Sequence, residues 1–156
     1  MSEYDNYHKN RHAVYLLQYH LVVVTKYRYP VIDGDVKDRL ISLSHEIIEE
    51  HWKGEIIEIN TDHDHIHILF EVSPQTQLSK LINNYKTVTS RLIRKEFSEE
   101  LRPYYWKPYF WSDTYFISSV SDTSQKMIEH YIRSQGKKAD YPRPNQSLWT
   151  GNASAT

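Results

Sequence analysis

The sequence of 156 residues contains no cysteine, only four glycines and only two methionines. Without cysteine the chain has neither disulfides nor thiolate metal ligands, a composition typical of a reducing cytoplasm, where we expect this protein. No Gly-x-x-x-x-Gly-Lys-Ser/Thr loop for nucleotide phosphates is present. No stretch approaches the roughly 20 consecutive apolar residues of a membrane span. Residues 1–5 also lack the pattern of a secretory signal, so we expect no membrane partner.

Charge balance and aromatic content give different indications about a nucleic-acid partner. The formal net charge is −1, whereas phosphate binding normally requires excess Lys and Arg. A basic face can nevertheless coexist with an acidic one. Thirteen Tyr and four Trp are a stronger indication of a nucleic-acid partner than the net charge, because stacking on an aromatic ring stabilises an unpaired base by about 1–3 kcal/mol. The ordinary alternative for any one ring is packing in the core or at a subunit interface.

Hydrophobic periodicity predicts four strands and three helices in one domain of ordinary size. The strands are predicted at residues 13–25, 55–60, 64–72 and 114–120. The helices are predicted at residues 35–53 and 77–97, and from Thr123 or Ser124 to about residue 135. Asp35 is the predicted N-cap of the first helix, and Gly54 is its predicted end.

This order, β-α-β-β-α-β followed by a terminal helix, predicts the fold class. We expect an α+β fold, with a ferredoxin-like or RRM-like antiparallel sheet and helices packed on one face. Residues 1–12 are expected to form a flexible N-terminal segment, 13–135 the folded domain and 136–156 a C-terminal tail. Such a fold hosts many functions, so the function has to be argued from particular side chains.

Two histidines in the third predicted strand form a candidate metal site. His65 and His67 lie two residues apart, so their imidazoles leave one face of the strand while Ile66 points to the other. Imidazole suits Mn, Fe, Co, Ni or Zn, and a mixed nitrogen and oxygen shell also holds Mg. A lone His-x-His pair more often makes ordinary hydrogen bonds. Here Asp62 and Asp64 add oxygen atoms, which favours a metal site but leaves its ligand set open.

The last predicted helix carries a candidate nucleophile. Tyr131 and Gln135 lie four residues apart and therefore share one helical face. A phenol attacks poorly at neutral pH because its ordinary pKa is about 10, but a divalent cation that polarises a phosphate makes the attack feasible. Gln135 can supply a carbonyl oxygen as third metal ligand. The helix alone favours the alternative, a partly buried tyrosine and a surface glutamine.

Taken together, these motifs resemble the single-tyrosine HUH transposases of the IS200/IS605 group of insertion sequences. The shared motifs are His65-Ile-His67 after an acidic residue and Tyr131-Ile-x-x-Gln135 in a C-terminal helix. Residues 19–28, Tyr-His-Leu-Val-Val-Val-Thr-Lys-Tyr-Arg, resemble the family's first strand and its Lys-Tyr-Arg ending. Residues 111–116, Trp-Ser-Asp-Thr-Tyr-Phe, resemble its aromatic segment before the fourth strand. The resemblance covers residues 13–135, which identifies that span as an HUH transposase domain.

The sequence departs from the family pattern at two positions. His63 stands where the family usually has proline before its Asp-His-x-His motif, and a further histidine there can compete as a ligand or alter the entry of the strand. Ser121 stands where many relatives have glycine, at the hinge before the tyrosine helix. Neither position coincides with a residue assigned to catalysis, and the roles of His63 and Asp64 stay open.

The resemblance implies a DNA transposase that acts on single-stranded DNA at the ends of a mobile element. Tyr131 would attack a phosphodiester, join covalently to the 5′ phosphate and release a 3′ hydroxyl, and a second strand's 3′ hydroxyl would reverse the step. His65, His67 and Gln135 would hold a divalent metal, Mg²⁺ or Mn²⁺. No nucleotide cofactor is needed, because the exchange conserves phosphodiester bonds.

The resemblance also implies the binding partners. These are single-stranded DNA with imperfect hairpins at the element ends, and a second copy of the chain in a homodimer whose active sites are shared between subunits. Phosphates would be contacted by five basic side chains, for each of which a solvated surface position is the alternative. The five are Lys26, Arg28, Lys86, Arg91 and Arg94.

Two other functions are alternatives to the transposase. A metal-dependent phosphohydrolase would use the His and Asp cluster at 62–67 with metal-bound water as nucleophile, and it would not need Tyr131. A non-catalytic relative would keep only hairpin binding on an RRM-like sheet. RRM proteins display aromatic residues on the exposed sheet face, whereas the third strand here carries histidines, which favours metal.

Overall fold

A computed structural model of the chain describes residues 8–9, 14–120 and 125–136. The strands it contains are β1 (His8–Lys9), β2 (Val14–Tyr15), β3 (Leu17–Val24), β4 (Glu55–Asp62), β5 (His65–Val72) and β6 (Phe116–Ser119). The helices are α1 (Gly34–His45), which continues as a π-helical segment at Glu46–His51, then α2 (Leu78–Glu96), the short α3 (Ser98–Leu101) and α4 (Gln125–Ser134). β1 and β2 pair with each other as a separate small ribbon.

The four longer strands form one antiparallel sheet in the order β4-β5-β3-β6. Because β3 lies between β5 and β6, the chain follows the split β-α-β arrangement of ferredoxin-like folds. The predicted α+β fold with an antiparallel sheet is confirmed. The strand ends differ from the prediction, most at the first strand: the predicted span 13–25 is divided into β2, which pairs with β1, and β3, which begins at Leu17. The fourth strand occupies 116–119 instead of 114–120.

The central strand β3 is buried on both faces because its alternating side chains meet two different helix layers. Leu21 and Val23 belong to the main core, which α1 and α2 cover. Val22 and Val24 point to the opposite face and pack against Ile128 of α4. These four side chains, in the second half of β3, are fully buried. α1 and α2 therefore share one face of the sheet, and α4 lies on the other.

The apolar stripes of α1 and α2 form the main core, as their periodicity predicts. One polar pair is buried between the two helices, where Ser44 Oγ and Tyr85 Oη lie 2.7 Å apart. Ser44 donates to the Leu40 carbonyl at 2.7 Å, so the phenol donates to Ser44. The buried apolar residues of the stripes are Val36, Leu40, Leu43, Ile47, Ile48, Leu81, Ile82, Tyr85 and Ile93.

The start of the first helix differs from the prediction. Asp33, not Asp35, occupies the N-cap position, and its side chain makes no capping hydrogen bond. The reason is that Gly34 takes a positive φ of 51°, which turns the chain into the helix before Asp35 is reached. Asp35 lies in the first turn instead, where its carboxylate still interacts favourably with the helix dipole.

The end of the helix also differs from the prediction, because Gly54 is required for space and not for a left-handed turn. Lys53 takes the left-handed conformation, with φ 59°. A Cβ on Gly54 would lie 3.0 Å from the Glu71 carbonyl oxygen and 3.2 Å from that of Ile48. The Gly54 N–H donates to the Ile48 carbonyl at 2.8 Å. Gly54 therefore lets the start of β4 approach both the preceding helix and β5.

Several predicted segments lie wholly or partly outside the described residues. Within the segment 1–12, expected to be flexible, His8–Lys9 pair with Val14–Tyr15, and the rest is outside. The predicted caps Thr123 and Ser124, the hinge position Ser121 and the tail beyond Gly136 are outside as well. In the part that is described, no helix is both long enough and apolar enough to cross a membrane.

Alanine substitutions at two glycines test this account of the turns. Gly54→Ala is expected to lower the free energy of unfolding by about 1–3 kcal/mol, because the methyl group meets two backbone oxygens that cannot move aside. Gly34→Ala meets nothing within 4 Å, so its cost is only that of the positive φ, about 1 kcal/mol. Urea unfolding measures both. An effect at Gly54 no larger than the effect at Gly34 contradicts the close approach.

Candidate active site

The paired histidines of β5 lie on the sheet face that α4 covers. His65 stands opposite Val24, and His67 stands opposite Val22. Residues directly opposite in an antiparallel pair point to the same face, and these two valines pack against α4. Ile66, between the histidines, is fully buried in the main core on the other face. The two imidazoles therefore leave the sheet together.

His65 is held by a carboxylate and an arginine. Its Nδ1 lies 2.8 Å from Asp64 Oδ1, and Arg28 Nε donates to Asp64 Oδ2 at 3.1 Å. Burial raises the pKa of the Asp64 carboxyl, but the His65 hydrogen bond and the Arg28 charge outweigh burial and bring that pKa below its usual value. An ionised Asp64 can only accept, so Nδ1 of His65 carries the proton. In the neutral ring Nε2 then keeps its lone pair for a ligand.

The turn that supplies Arg28 has a strained backbone. Tyr27 and Arg28 have φ of 60° and 56°, a left-handed conformation that costs on the order of 1–2 kcal/mol for each non-glycine residue. The surroundings hold the turn in place, since Tyr105 Oη donates to the Lys26 carbonyl at 2.7 Å. Strain of this kind concentrates at functional sites, and here it directs Arg28 onto Asp64.

His67 is held by a third histidine, His20, which was not among the predicted site residues. His20 Nδ1 lies 2.8 Å from His67 Nε2, and the two rings are nearly parallel, at 14°. Burial lowers the pKa of His67, and His20 lowers it further, so the ring is neutral, the form that binds metals. The alternation of His20 with Val22 and Val24 along β3 is the signal that could have placed His20 on this face.

Tyr131 and Gln135 of the α4 region meet at one hydroxyl group. Thr114 Oγ1 lies 3.0 Å from Tyr131 Oη and donates to Gln135 Oε1 at 3.3 Å. A hydroxyl carries a single proton, so the phenol of Tyr131 donates to Thr114. Burial raises the pKa of Tyr131, and the phenol is therefore protonated at neutral pH. Its ring also contacts that of Phe116, with centroids 5.4 Å apart.

The tyrosine lies over an edge strand, whereas the histidines lie on an inner one. Phe116, beneath Tyr131, stands opposite Val22 from β6, and His67 stands opposite the same Val22 from β5. Neighbouring strands are about 4.8 Å apart, so β5 and β6 run roughly 10 Å apart on either side of β3. α4 therefore carries its phenol toward the β6 side of the sheet, away from the histidines.

Within the described residues of one chain, the predicted ligand set is not assembled. The Gln135 amide oxygen accepts from Thr114, and no hydrogen bond joins Gln135 or Tyr131 to either histidine. Nor do any three His, Cys, Asp or Glu side chains of these residues converge as a metal-binding group. The predicted site residues instead form two separate pairs, called half-sites below: the imidazole pair His65 and His67 on β5, and the phenol–amide pair Tyr131 and Gln135 of the α4 region.

A cavity of about 560 Å³ lies between the start of β5 and α4. It adjoins His65 and the Arg28–Asp64 pair, and its charged lining is mixed, with two arginines and three carboxylates. Its polar lining residues are Arg28, Asp62, His63, Asp64, His65, Gln125, Glu129 and Arg133.

The basic residues predicted to contact DNA have different environments. Arg91 is exposed, and Arg94 lines a surface groove of about 390 Å³ beside α2. Lys26 instead forms an ion pair with Asp113, with Nζ 3.4 Å from Oδ2. Arg28 bonds to the carboxylate beside His65. Arg91 and Arg94 are thus the better placed of these four for phosphates.

Lys86, the fifth predicted DNA contact, ties a loop to α2. Its Nζ donates to the Ser112 carbonyl at 2.9 Å and to the Thr114 carbonyl at 3.3 Å, and burial lowers its pKa. Nearby, Trp111 Nε1 donates to Thr89 Oγ1 at 2.8 Å. Helix α2 therefore anchors segment 111–114, and this segment carries the hydroxyl that holds Tyr131.

The split β-α-β sheet has the fold expected from the family resemblance, and its paired histidines lie on the face that α4 covers. Comparison with known families agrees: residues 13–135 match the family model described as Transposase IS200 like. The chain therefore belongs to the IS200-like transposase family, and the resemblance to the IS200/IS605 group is confirmed.

Individual relatives cover most of the chain. ISDra2 transposase TnpA of Deinococcus radiodurans is 31% identical over 130 residues, which are 83% of this chain and 91% of that protein. The transposase for insertion sequence element IS200 of Salmonella typhimurium is 29% identical over 147 residues, 90% of this chain and 93% of that protein. A crystal structure from Deinococcus radiodurans R1, assigned as a transposase, superposes with a TM-score of 0.76 at 28% identity, covering 83% of this chain and 98% of that one.

Replacing Lys86 tests whether it anchors the loop below α4. Lys86→Met keeps the aliphatic stem but leaves two carbonyls without their donor, so we expect the free energy of unfolding to fall by about 1–2 kcal/mol. Lys80→Met, on the exposed side of the same helix, is the matched control and should stay within about 0.5 kcal/mol of the native protein. Urea unfolding measures both, and equal midpoints for the two variants contradict the anchoring role.

Proposed function

We propose that this transposase cleaves and rejoins single-stranded DNA at insertion-sequence ends, with Tyr131 as nucleophile and a divalent metal at His65 and His67. One observation carries the proposal. The imidazoles of His65 and His67 leave the same sheet face on which α4, with its tyrosine, is packed. Membership of the IS200-like family makes transposition of an insertion sequence the context of this chemistry.

The histidines suit a divalent cation, Mg²⁺ or Mn²⁺. Each imidazole has one nitrogen engaged by a neighbour, Asp64 for His65 and His20 for His67. This leaves Nε2 of His65 for the metal and, when His67 is the donor to His20, Nδ1 of His67 as well. Gln135 would complete the set with its amide oxygen. When bound, the cation supplies Lewis-acid stabilisation of the charge that develops on the scissile phosphate.

The reaction proceeds by exchange of phosphodiester bonds. Tyr131 Oη forms a bond to phosphorus while the bond from phosphorus to the 3′ oxygen breaks. The phenol proton passes to the leaving oxygen, so the products are a 5′-phosphotyrosine and a free 3′ hydroxyl. A 3′ hydroxyl from another strand then attacks the phosphotyrosine and restores the phenol. Because burial raises the pKa of Tyr131, its proton must move as the attack occurs.

The position of α4 supports an active site shared between two subunits. In one chain Thr114 holds both Tyr131 and Gln135, on the β6 side of the sheet and apart from the histidines. Two DNA ends require two nucleophiles, and therefore two subunits. In a homodimer, the partner's α4 would supply its phenol and amide to His65 and His67 and so join the half-sites.

DNA hairpins at the element ends are the proposed binding partner. Arg91 and Arg94 lie on the outer side of α2, and Arg94 borders a groove that the half-buried Tyr109 also lines. Arginine contacts phosphates, and aromatic edges and faces contact bases. Arg28 lies beside His65 through Asp64, and Lys26 lies with Asp113 in a groove that Gln135 also lines. Both stay proposed contacts for the cleaved strand.

Replacing Tyr131 by Phe removes the proposed nucleophile and its hydrogen bond to Thr114, and it keeps the aromatic ring. With single-stranded ends of the element and Mn²⁺, we expect the native protein to give a covalent protein–DNA adduct on a denaturing gel. Tyr131→Phe should reduce the adduct by roughly 10³-fold or more. Tyr19→Phe is the matched control, since it removes a tyrosine hydroxyl on the opposite face of the sheet. This variant should form as much adduct as the native protein.

Three outcomes of this experiment contradict the proposal in different ways. An adduct that persists in Tyr131→Phe means another nucleophile. Cleavage by Tyr131→Phe without an adduct indicates the metal-dependent phosphohydrolase. DNA binding that EDTA does not change, with no adduct from the native protein, indicates a non-catalytic hairpin-binding relative.

Mixing two inactive variants tests the shared site. Tyr131→Phe and His65→Ala/His67→Ala should each be inactive alone. If the half-sites join across a dimer, equal mixtures after subunit exchange contain heterodimers with one intact site each. The adduct should then reach about a quarter of the native amount. A site completed within one chain predicts no recovery at all, and size-exclusion chromatography confirms that the mixed species are dimers.

A further inference from the structure

The contact between His20 and His67 has a chemical consequence for the proposed metal site. The two nitrogens, His20 Nδ1 and His67 Nε2, are 2.8 Å apart, a distance that requires one shared proton. Both rings lie on the same sheet face, since His20 alternates with Val22 along β3 and Val22 stands opposite His67. The ring centroids are 5.0 Å apart.

The position of that proton decides whether His67 can bind a metal. If His67 donates from Nε2, its Nδ1 keeps a lone pair, which can coordinate a cation. If His20 donates from Nδ1, the neutral His67 ring carries its proton on Nδ1, and its single lone pair is used by His20. Only the first arrangement leaves a ligand atom on His67.

One ring nitrogen of His65 is likewise hydrogen-bonded to a neighbour, but there the acceptor is a carboxylate. Asp64 accepts from His65 Nδ1, fixes the ring and leaves Nε2 for a ligand. Metal-binding histidines commonly have their second nitrogen fixed by such a partner, and removal of the partner weakens metal affinity about 10–100-fold. No carboxylate is hydrogen-bonded to His67 among the described residues, and His20 occupies the equivalent place.

We propose that His20 is a positioning residue for His67: it accepts the Nε2 proton of His67 and thereby fixes the ring and the tautomer that can coordinate a divalent cation. This inference rests on the proposed metal site at His65 and His67. His20 itself is not a ligand in this arrangement, because its Nδ1 lone pair is directed at His67.

Mn²⁺ binding to the full-length protein, followed by calorimetry without DNA, tests the proposal. His20→Leu has no acceptor and should weaken Mn²⁺ binding about 10–100-fold. His20→Asn offers an amide oxygen at the end of a side chain of similar reach, and it should restore affinity to within a few fold of native. His51→Leu, an exposed histidine far from the site, is the matched control and should bind Mn²⁺ like the native protein.

The arms of the experiment separate the possible failures. Equal affinity of His20→Leu and the native protein overturns the inference alone. Equally weak binding by His20→Leu and His20→Asn also overturns it, since a direct ligand role or general packing would then explain the loss. If the native protein binds no Mn²⁺, the metal part of the proposed function fails, and the inference fails with it.

A second measurement reads the tautomer directly and does not depend on how well a variant folds. Long-range ¹H–¹⁵N spectra of the metal-free native protein distinguish a protonated from an unprotonated ring nitrogen. We expect His67 to carry its proton on Nε2 and His20 to have an unprotonated Nδ1. A proton on Nδ1 of His67 overturns the proposal.

Discussion

The two-residue alternation along the paired strands β3 and β5 is the constraint on which the rest of the structure depends. It sends Leu21 and Val23 into the core beneath α1 and α2, and it sends Val22 and Val24 to the opposite face. A slip of one residue in this pairing would exchange the two faces of a strand. The same register that buries the core therefore keeps His65 and His67 on the sheet face that α4 covers.

The tyrosine helix is attached to this face by few contacts. Ile128 is its buried residue, packed on two β3 valines, and the partly buried Tyr131 and Ile132 pack beside it. Thr114 adds hydrogen bonds to Tyr131 and Gln135. Thr114 is in turn held from below by Lys86 of α2. Elements with little buried apolar surface are the ones that move at low free-energy cost, and this construction is compatible with the proposed shared active site, in which the helix joins the histidines of the partner subunit.

Much of the fold could be predicted from the sequence, because helix and strand periodicities are repeated many times along each element. The order of strands and helices, and the apolar stripes of α1 and α2, are confirmed. Apart from the strand boundaries, the errors are at single positions where one contact decides. Asp35 is not the N-cap because Gly34 turns the chain earlier, and Gly54 is needed because the Glu71 backbone approaches it closely. Such contacts come from residues distant in sequence.

The sequence by itself determined that His65 and His67 leave one side of a strand and that Tyr131 lies on a C-terminal helix, since both follow from local geometry. Only the tertiary structure decided which groups these side chains meet. Thr114 reaches the phenol across 17 residues, and His20 reaches the second imidazole across 47. Contacts between such distant segments arise when the strands pair and the helices pack, and no local pattern specifies them.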